Sequence, residues 1–115
     1  MGSAWRAYES RWETLLNSQG PITFASVPWP THHRPADPTA ITIYNIAAFL
    51  LSPEHSNVMT ARDRLRNAVR KWHTDKFTRF ANRIVPEDKA MIDEGVGIVA
   101  RALTQLLELE KRRSG

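Results

Sequence analysis

The chain has 115 residues and a mass of 13.1 kDa, the size of a single domain. It contains no cysteine, which excludes a disulfide framework, a thiolate metal site and a cysteine nucleophile, and which fits an intracellular protein. Its formal charge of +4 favours an acidic partner, such as nucleic acid, an anionic membrane or an acidic protein surface. No apolar run approaches the roughly 20 residues that span a bilayer, so we expect a soluble protein. We also expect a monomer located in the cytoplasm or the nucleus.

The N-terminal segment has the periodicity of an amphipathic helix over residues 3–17. Large apolar side chains recur at steps of three and four residues, and charged side chains occupy the other side. Ser3 is a residue type that caps helices, and Gly20-Pro21 prevents continuation. Because several aromatic side chains on one stripe are too apolar to remain in water, we expect the stripe to join the core. It consists of Trp5, Tyr8, Trp12, Leu15 and Leu16.

A proline-rich segment follows, with prolines at Pro21, Pro28, Pro30, Pro35 and Pro38. Each proline fixes φ and removes a backbone donor, which excludes a regular helix or a central strand. We interpret residues 21–38 as an extended strap that four apolar anchors pin to the helices: Ile22, Phe24, Val27 and Trp29. The alternative is a flexible polyproline-type ligand, but Pro28-Trp29-Pro30 lacks the spacing of a PxxP motif.

Two helices are predicted in the middle of the chain. The first spans residues 39–51, is strongly apolar and ends at Ser52-Pro53, before a polar linker over 54–58. The second begins at Thr60 as its N-cap and runs through Trp72. Its apolar positions form one helical stripe: Ala61, Leu65, Ala68, Val69 and Trp72.

The pattern breaks over residues 73–85, and Pro86 is then well placed to begin a last helix. Gly95 and Gly97 weaken this helix by about 1 kcal/mol each, which indicates a close contact with another helix. Its apolar residues are Met91, Ile92, Val96, Val99, Leu103, Leu106, Leu107 and Leu109. The fold class is therefore all-α, with an N-terminal helix and proline-rich extension over 1–38 and a helical domain over 39–115.

Positive charge is concentrated in the helix that ends at Trp72 and in the loop after it. Between Met59 and Arg83 only Asp63 and Asp75 oppose eight basic residues: Arg62, Arg64, Arg66, Arg70, Lys71, Lys76, Arg79 and Arg83. The spacing of four between Arg62, Arg66 and Arg70 places these three along one exposed edge. A solvated helix face is one interpretation, and an electrostatic docking surface is the interpretation we favour.

The most specific motif is Arg70-Lys71-Trp72-His73-Thr74-Asp75-Lys76-Phe77. It resembles the J domain, the helical hairpin by which co-chaperones engage seventy-kilodalton heat-shock chaperones, in which a basic helix leads into a His-Pro-Asp loop. The resemblance covers roughly residues 43–109, and the Trp-His-x-Asp-Lys-Phe form is most similar to the J-like region of NF-kappa-B inhibitor-like proteins and of fungal J-like proteins. It implies a short helix followed by an antiparallel hairpin of helices 60–72 and 86–112.

The resemblance also implies a partner and a site. Asp75 would reach an arginine on the chaperone, His73 would shape the loop, and the basic residues would attract an acidic surface. This chain departs from the family at Thr74, where the family has proline, so the loop is expected to be less rigid. The residues implied in partner binding are Arg62, Arg66, Arg70, Lys71, His73, Thr74, Asp75 and Lys76. A local capping turn is the alternative interpretation of His73, Thr74 and Asp75.

Other signals are weak. The adjacent His32 and His33 lack a third metal ligand at suitable spacing, so we predict no metal site. We find no nucleophile with a base and no phosphate-binding glycine loop, so we predict neither an enzyme nor a bound cofactor. Aromatic residues interleaved with basic ones, including Phe77 and Phe80, are typical of surfaces that bind single-stranded nucleic acid. The alternative function is therefore a basic helical module of J-like fold that binds nucleic acid or another acidic partner without chaperone stimulation. A membrane-surface helix is disfavoured because the apolar faces are needed for the core.

Overall fold

The computed structural model describes residues 3–52, 59–73 and 77–113. Within these ranges the regular structure is helical, and two isolated residues, Ile22 and Ile84, form a single β-bridge in place of any strand. The prediction of an all-α fold is therefore confirmed. The α-helices are α1 (Ser3–Asn17), α2 (Ile43–Leu50), α3 (Ala61–Lys71) and α4 (Lys89–Arg113).

Helix α1 has the predicted bounds and buries most of the predicted stripe. Tyr8, Trp12 and Leu15 are buried, and Trp5 packs against the same core at its edge. The prediction for Leu16 is wrong, because its side chain is 51% exposed. Leu16 lies one turn beyond Trp12 on the same face of α1, and the core does not extend far enough to cover that end of the face.

The strap is anchored as predicted, since Ile22, Phe24, Val27 and Trp29 are all buried. A short 3₁₀ helix, Phe24–Ser26, is fixed by a capping box between Thr23 and Ser26. Backbone hydrogen bonds also tie the strap to the loop before α4. The amide of Ile22 donates to the carbonyl of Arg83 at 2.7 Å, and the amide of Val85 donates to the carbonyl of Ile22 at 3.0 Å.

Helix α2 begins later than the predicted residue 39. Asp37 caps a separate 3₁₀ turn, Pro38–Ala40, and Ile41 then adopts an extended conformation. The α-helix starts only after Thr42, whose hydroxyl accepts a hydrogen bond from the amide of Asn45 at 3.1 Å. Local caps thus divide the predicted helix into a 3₁₀ turn and an α-helix. The predicted linker over 54–58 lies outside the described residues.

Helices α3 and α4 pack against each other and against α2. Thr60 caps α3 as predicted, with its hydroxyl accepting from the amide of Asp63 at 3.1 Å. Pro86 begins a 3₁₀ turn, Pro86–Asp88, and α4 proper starts at Lys89. The buried stripe of α4 is Ile92, Val96, Val99, Ala102 and Leu103, whereas Leu109 is exposed.

The interpretation of the two glycines in α4 needs correction. A Cβ atom added at Gly95 would lie 2.6 Å from Cη2 of Trp29, so Gly95 makes room for the indole ring of the strap. A Cβ atom added at Gly97 would have the guanidinium of Arg101 as its nearest neighbour among the described residues, at 3.2 Å. The tight contact in α4 is therefore one between Gly95 and an indole ring of the strap.

A single hydrophobic core joins the parts of the chain. Residues from α1, the strap and all three later helices belong to one buried cluster, with Trp72 fully buried within it. The indole of Trp29 stacks on that of Trp72 with 5.6 Å between ring centroids and 16° between ring planes. The core thus runs across the boundary predicted between residues 38 and 39.

Candidate functional site

The row of arginines on α3, which we call the basic ridge, consists of Arg62, Arg66 and Arg70. All three side chains are exposed. Within the described part of the chain, none of them forms an ion pair with a carboxylate, since the ion pairs found there are Lys89–Asp93 and Arg113–Glu110. The ridge is therefore a line of positive charge that the rest of the described structure does not neutralise.

The opposite face of α3 fixes the orientation of the ridge. Leu65, Ala68 and Trp72 on that face are buried. The indole Nε1 of Trp72 donates a hydrogen bond to the hydroxyl of Tyr8 at 2.9 Å. Because this face of α3 is buried in the core, the ridge on the other side of the helix faces solvent.

Arg64 and Lys71, which share the charge of α3, serve the fold. Arg64 donates from Nη1 to the carbonyl oxygens of Leu50 at 3.2 Å and Ser52 at 2.9 Å, which ties the end of α2 to α3. Lys71 is half-buried, with Nζ 5.3 Å from the ring centroid of Trp12. Lys71, which the sequence predicts to bind the partner together with the ridge, lies beside α1 through this contact.

The end of α3 presents His73, which is exposed directly after the C-cap residue Trp72. His73 also lines a shallow depression of about 440 Å³ together with Arg101 and Thr104 of α4. The remaining predicted loop residues lie outside the described residues: Thr74, Asp75 and Lys76.

A second feature, which we call the aromatic groove, adjoins the ridge at Arg70. It encloses about 270 Å³ between α1, the end of α3 and the 3₁₀ turn Thr78–Phe80. Its lining residues are Trp12, Leu16, Asn67, Arg70, Lys71, Phe77, Arg79 and Phe80. The groove explains the exposure of Leu16, whose side chain lies at a concave apolar surface with a cationic rim.

The sequence indicates the aromatic and basic character of this region through Phe77 and Phe80, but it does not predict the part that α1 contributes. The helical periodicity placed Trp12 and Leu16 on one stripe, with no indication that the stripe would end at a groove. The local pattern gives no signal for the exposure of Leu16, because Leu16 lies one turn beyond the buried Trp12 on the same helix face.

The two histidines discounted as metal ligands lie on the strap. The ring of His32 packs edge-on against Phe49 of α2, with 5.3 Å between ring centroids, and its Nε2 lies 3.2 Å from the carbonyl oxygen of Ala48. Among the residues that the structure describes, no group of three or more His, Asp or Glu side chains is arranged to hold a metal ion.

Comparison of the chain with protein families, with curated proteins and with solved structures found no match. Within the described ranges, none of the helices combines the length and the apolar character needed to cross a membrane.

Proposed function

We propose that this chain is a non-enzymatic, J-like protein-interaction module. In this proposal the basic ridge and the His73-Thr74-Asp75 loop dock on an acidic surface of a seventy-kilodalton heat-shock chaperone. The observation that carries the proposal is the ridge itself: three exposed arginines with no carboxylate partner in the described structure, on a helix whose other face is buried. Rows of unpaired charge of this kind steer association with a complementary surface.

The order of elements supports the J-like part of the proposal. A short apolar helix, α2, precedes the basic helix α3, and the long helix α4 follows after a loop and packs on α3. His73 is exposed at the end of the basic helix, where the resemblance requires the loop to begin. Thr74 remains the departure from the family, and we expect it to weaken the loop's action on the chaperone more than the docking itself.

Nucleic acid is the second candidate, because the ridge and the cationic rim of the aromatic groove would also attract phosphates. Binding to single strands relies on bases that stack on exposed aromatic faces. Here Trp72 is fully buried and Trp12 is 5% exposed, so the two largest rings of the region offer little stacking surface. The geometry therefore favours a protein partner.

The test is single-turnover ATP hydrolysis by a seventy-kilodalton chaperone in the presence of the native chain, Asp75→Asn and Thr74→Pro. Stimulation by the native chain that disappears in Asp75→Asn supports the proposal. Stimulation that appears only in Thr74→Pro also supports it, because the chain then docks with a weakened loop. Silence from all three proteins contradicts it.

A parallel titration with a single-stranded oligonucleotide separates the two candidates. A nucleic-acid binder loses affinity steeply with added salt and with Arg66→Ala, and it is indifferent to Asp75→Asn. If the oligonucleotide binds in this way and the chaperone does not bind, the second candidate replaces the first.

A further inference from the structure

A separate pocket, which we call the arginine pocket, lies between the second half of α1 and the strap. It encloses about 400 Å³ and brings together three arginines that are far apart in sequence: Arg11 of α1, Arg34 of the strap and Arg83 from the loop before α4. The described residues that line it include no carboxylate, and none of them belongs to the basic ridge. Three positive charges therefore share one concavity without a negative charge among its walls.

Two of the three guanidinium groups are held in place by backbone carbonyls. Arg11 donates through Nη2 to the carbonyl oxygens of Ala25 and Val27, each at 3.2 Å. Arg83 donates through Nε to Gly20 at 3.0 Å and through Nη1 to Leu15 at 2.9 Å. A guanidinium has five N–H donors, so both side chains keep donors beyond those that fix their positions.

The third arginine has no such structural task. Arg34 is exposed, and no hydrogen bond or ion pair of its side chain is found among the described residues. Burial lowers the pKa of Arg11 below its usual value, and the positive charge of Arg34 lowers it further. The two guanidinium groups therefore repel each other, and a bound anion would relieve that repulsion.

Two hydroxyl groups add further donors to the wall of the pocket. Ser18 Oγ accepts from the amide of Gly20 at 3.0 Å, and Thr23 Oγ1 accepts from the amide of Ser26 at 3.2 Å. Each hydroxyl acts as an acceptor in these bonds, so each retains its hydrogen for a ligand. The pocket thus offers guanidinium and hydroxyl donors toward one space.

We propose that the arginine pocket binds the diphosphate group of a small phosphorylated molecule. Guanidinium groups match phosphate oxygens in charge and in planar, paired donor geometry. A single phosphate monoester carries about −1.5 to −2 at neutral pH, so three arginines are matched better by two linked phosphates than by one. The volume of about 400 Å³ lies in the usual range of small-molecule sites, roughly 300–1,000 Å³.

The test is isothermal titration calorimetry at constant ionic strength with inorganic pyrophosphate, adenosine diphosphate and orthophosphate. We expect pyrophosphate or adenosine diphosphate to bind more tightly than orthophosphate. Tighter binding of the nucleotide assigns the site to diphosphate esters, and equal binding assigns it to the free diphosphate. Failure of both diphosphates to saturate the protein overturns the proposal.

The decisive variant is Arg34→Ala, because Arg34 is exposed and its loss leaves the carbonyl contacts of Arg11 and Arg83 intact. Loss of one charge-assisted contact should weaken pyrophosphate binding about tenfold to a hundredfold. Arg112→Ala is the matched control, since Arg112 is exposed at the end of α4 and does not line the pocket. Equal losses in both variants, or a loss in Arg66→Ala and none in Arg34→Ala, would place the anion elsewhere and refute the assignment.

Discussion

The hydroxyl of Tyr8 lies in the interior of the protein and accepts the indole hydrogen of Trp72 at 2.9 Å. Tyr8→Phe would leave that buried donor without its acceptor. We expect the free energy of unfolding to fall by about 1–3 kcal/mol, as measured by urea denaturation near neutral pH. Tyr44→Phe is the control, because the Tyr44 side chain is 82% exposed and its change should have an effect within about 0.5 kcal/mol.

The same hydroxyl gives the prediction a pH dependence. Burial raises the pKa of Tyr8 from 10.0 to about 12, although the hydrogen bond from Trp72 acts in the opposite direction. Stability contributed by the neutral hydroxyl is fully present below about pH 10 and is lost as pH rises toward about 12. Between about pH 9 and about pH 11, the native protein should lose about 1 kcal/mol more than Tyr8→Phe does. Identical losses in the two proteins would contradict this account of Tyr8.

The glycines of α4 form a second residue-scale pair. Replacing glycine by alanine in a helix normally stabilises it by about 1 kcal/mol. At Gly97 we expect that gain, because the nearest neighbour among the described residues is the flexible guanidinium of Arg101. At Gly95 the new methyl group would collide with the Trp29 ring, so Gly95→Ala should destabilise by about 1–3 kcal/mol. Chemical denaturation measures the unfolding free energies of the two variants. Equal effects would show that the strap shifts to accommodate the new methyl group at little cost.

At the scale of the element, α3 separates residues that serve the fold from residues proposed to serve binding. Like charges four residues apart repel, so Arg66→Ala removes two unfavourable pairs, with Arg62 and with Arg70. We expect its unfolding free energy to be unchanged or higher by up to about 1 kcal/mol at low salt, with the gain shrinking as salt is added.

Arg64→Ala is the contrasting variant on the same helix. It removes the donors to Leu50 and Ser52, and we expect it to destabilise by about 1–3 kcal/mol. Denaturation curves of both variants at low and high salt provide the comparison. A loss of stability in Arg66→Ala as large as that in Arg64→Ala would show that the ridge is structural.

The elements also show what local sequence can and cannot predict. The stripe of α3 follows from its period, and Thr60 marks the start because its cap is local. The start of α2 was misplaced because Asp37 and Thr42 both offer caps within a few residues. The contact of Gly95 with Trp29 and the meeting of Arg11 with Arg83 depend on the tertiary arrangement, and no local pattern encodes them.

For the protein as a whole, the strap and α1 supply side chains that belong to the same core as the later helices. The rings of Tyr8, Trp12 and Trp29 surround Trp72, and all four are buried. A shortened chain of residues 39–115 would lack Tyr8, Trp12 and Trp29 and would therefore expose the ring of Trp72 that they cover. Since losing one large core aromatic typically costs about 3–5 kcal/mol, we expect this shortened chain not to fold cooperatively. Sharp thermal unfolding of residues 39–115, with native-like tryptophan fluorescence, would contradict the expectation.

This core holds in position the surface on which the proposed function depends, because we propose that the basic ridge docks on an acidic face of a seventy-kilodalton chaperone. The most direct measurement is the equilibrium affinity of that chaperone for the full chain and for two charge-reversal variants, Arg66→Glu and Arg6→Glu. Both arginines are exposed, but only Arg66 lies on the ridge. We predict that Arg66→Glu weakens binding about tenfold or more and that Arg6→Glu changes it little. Equal effects of the two variants, or no binding by the full chain, would contradict the proposed docking of the ridge.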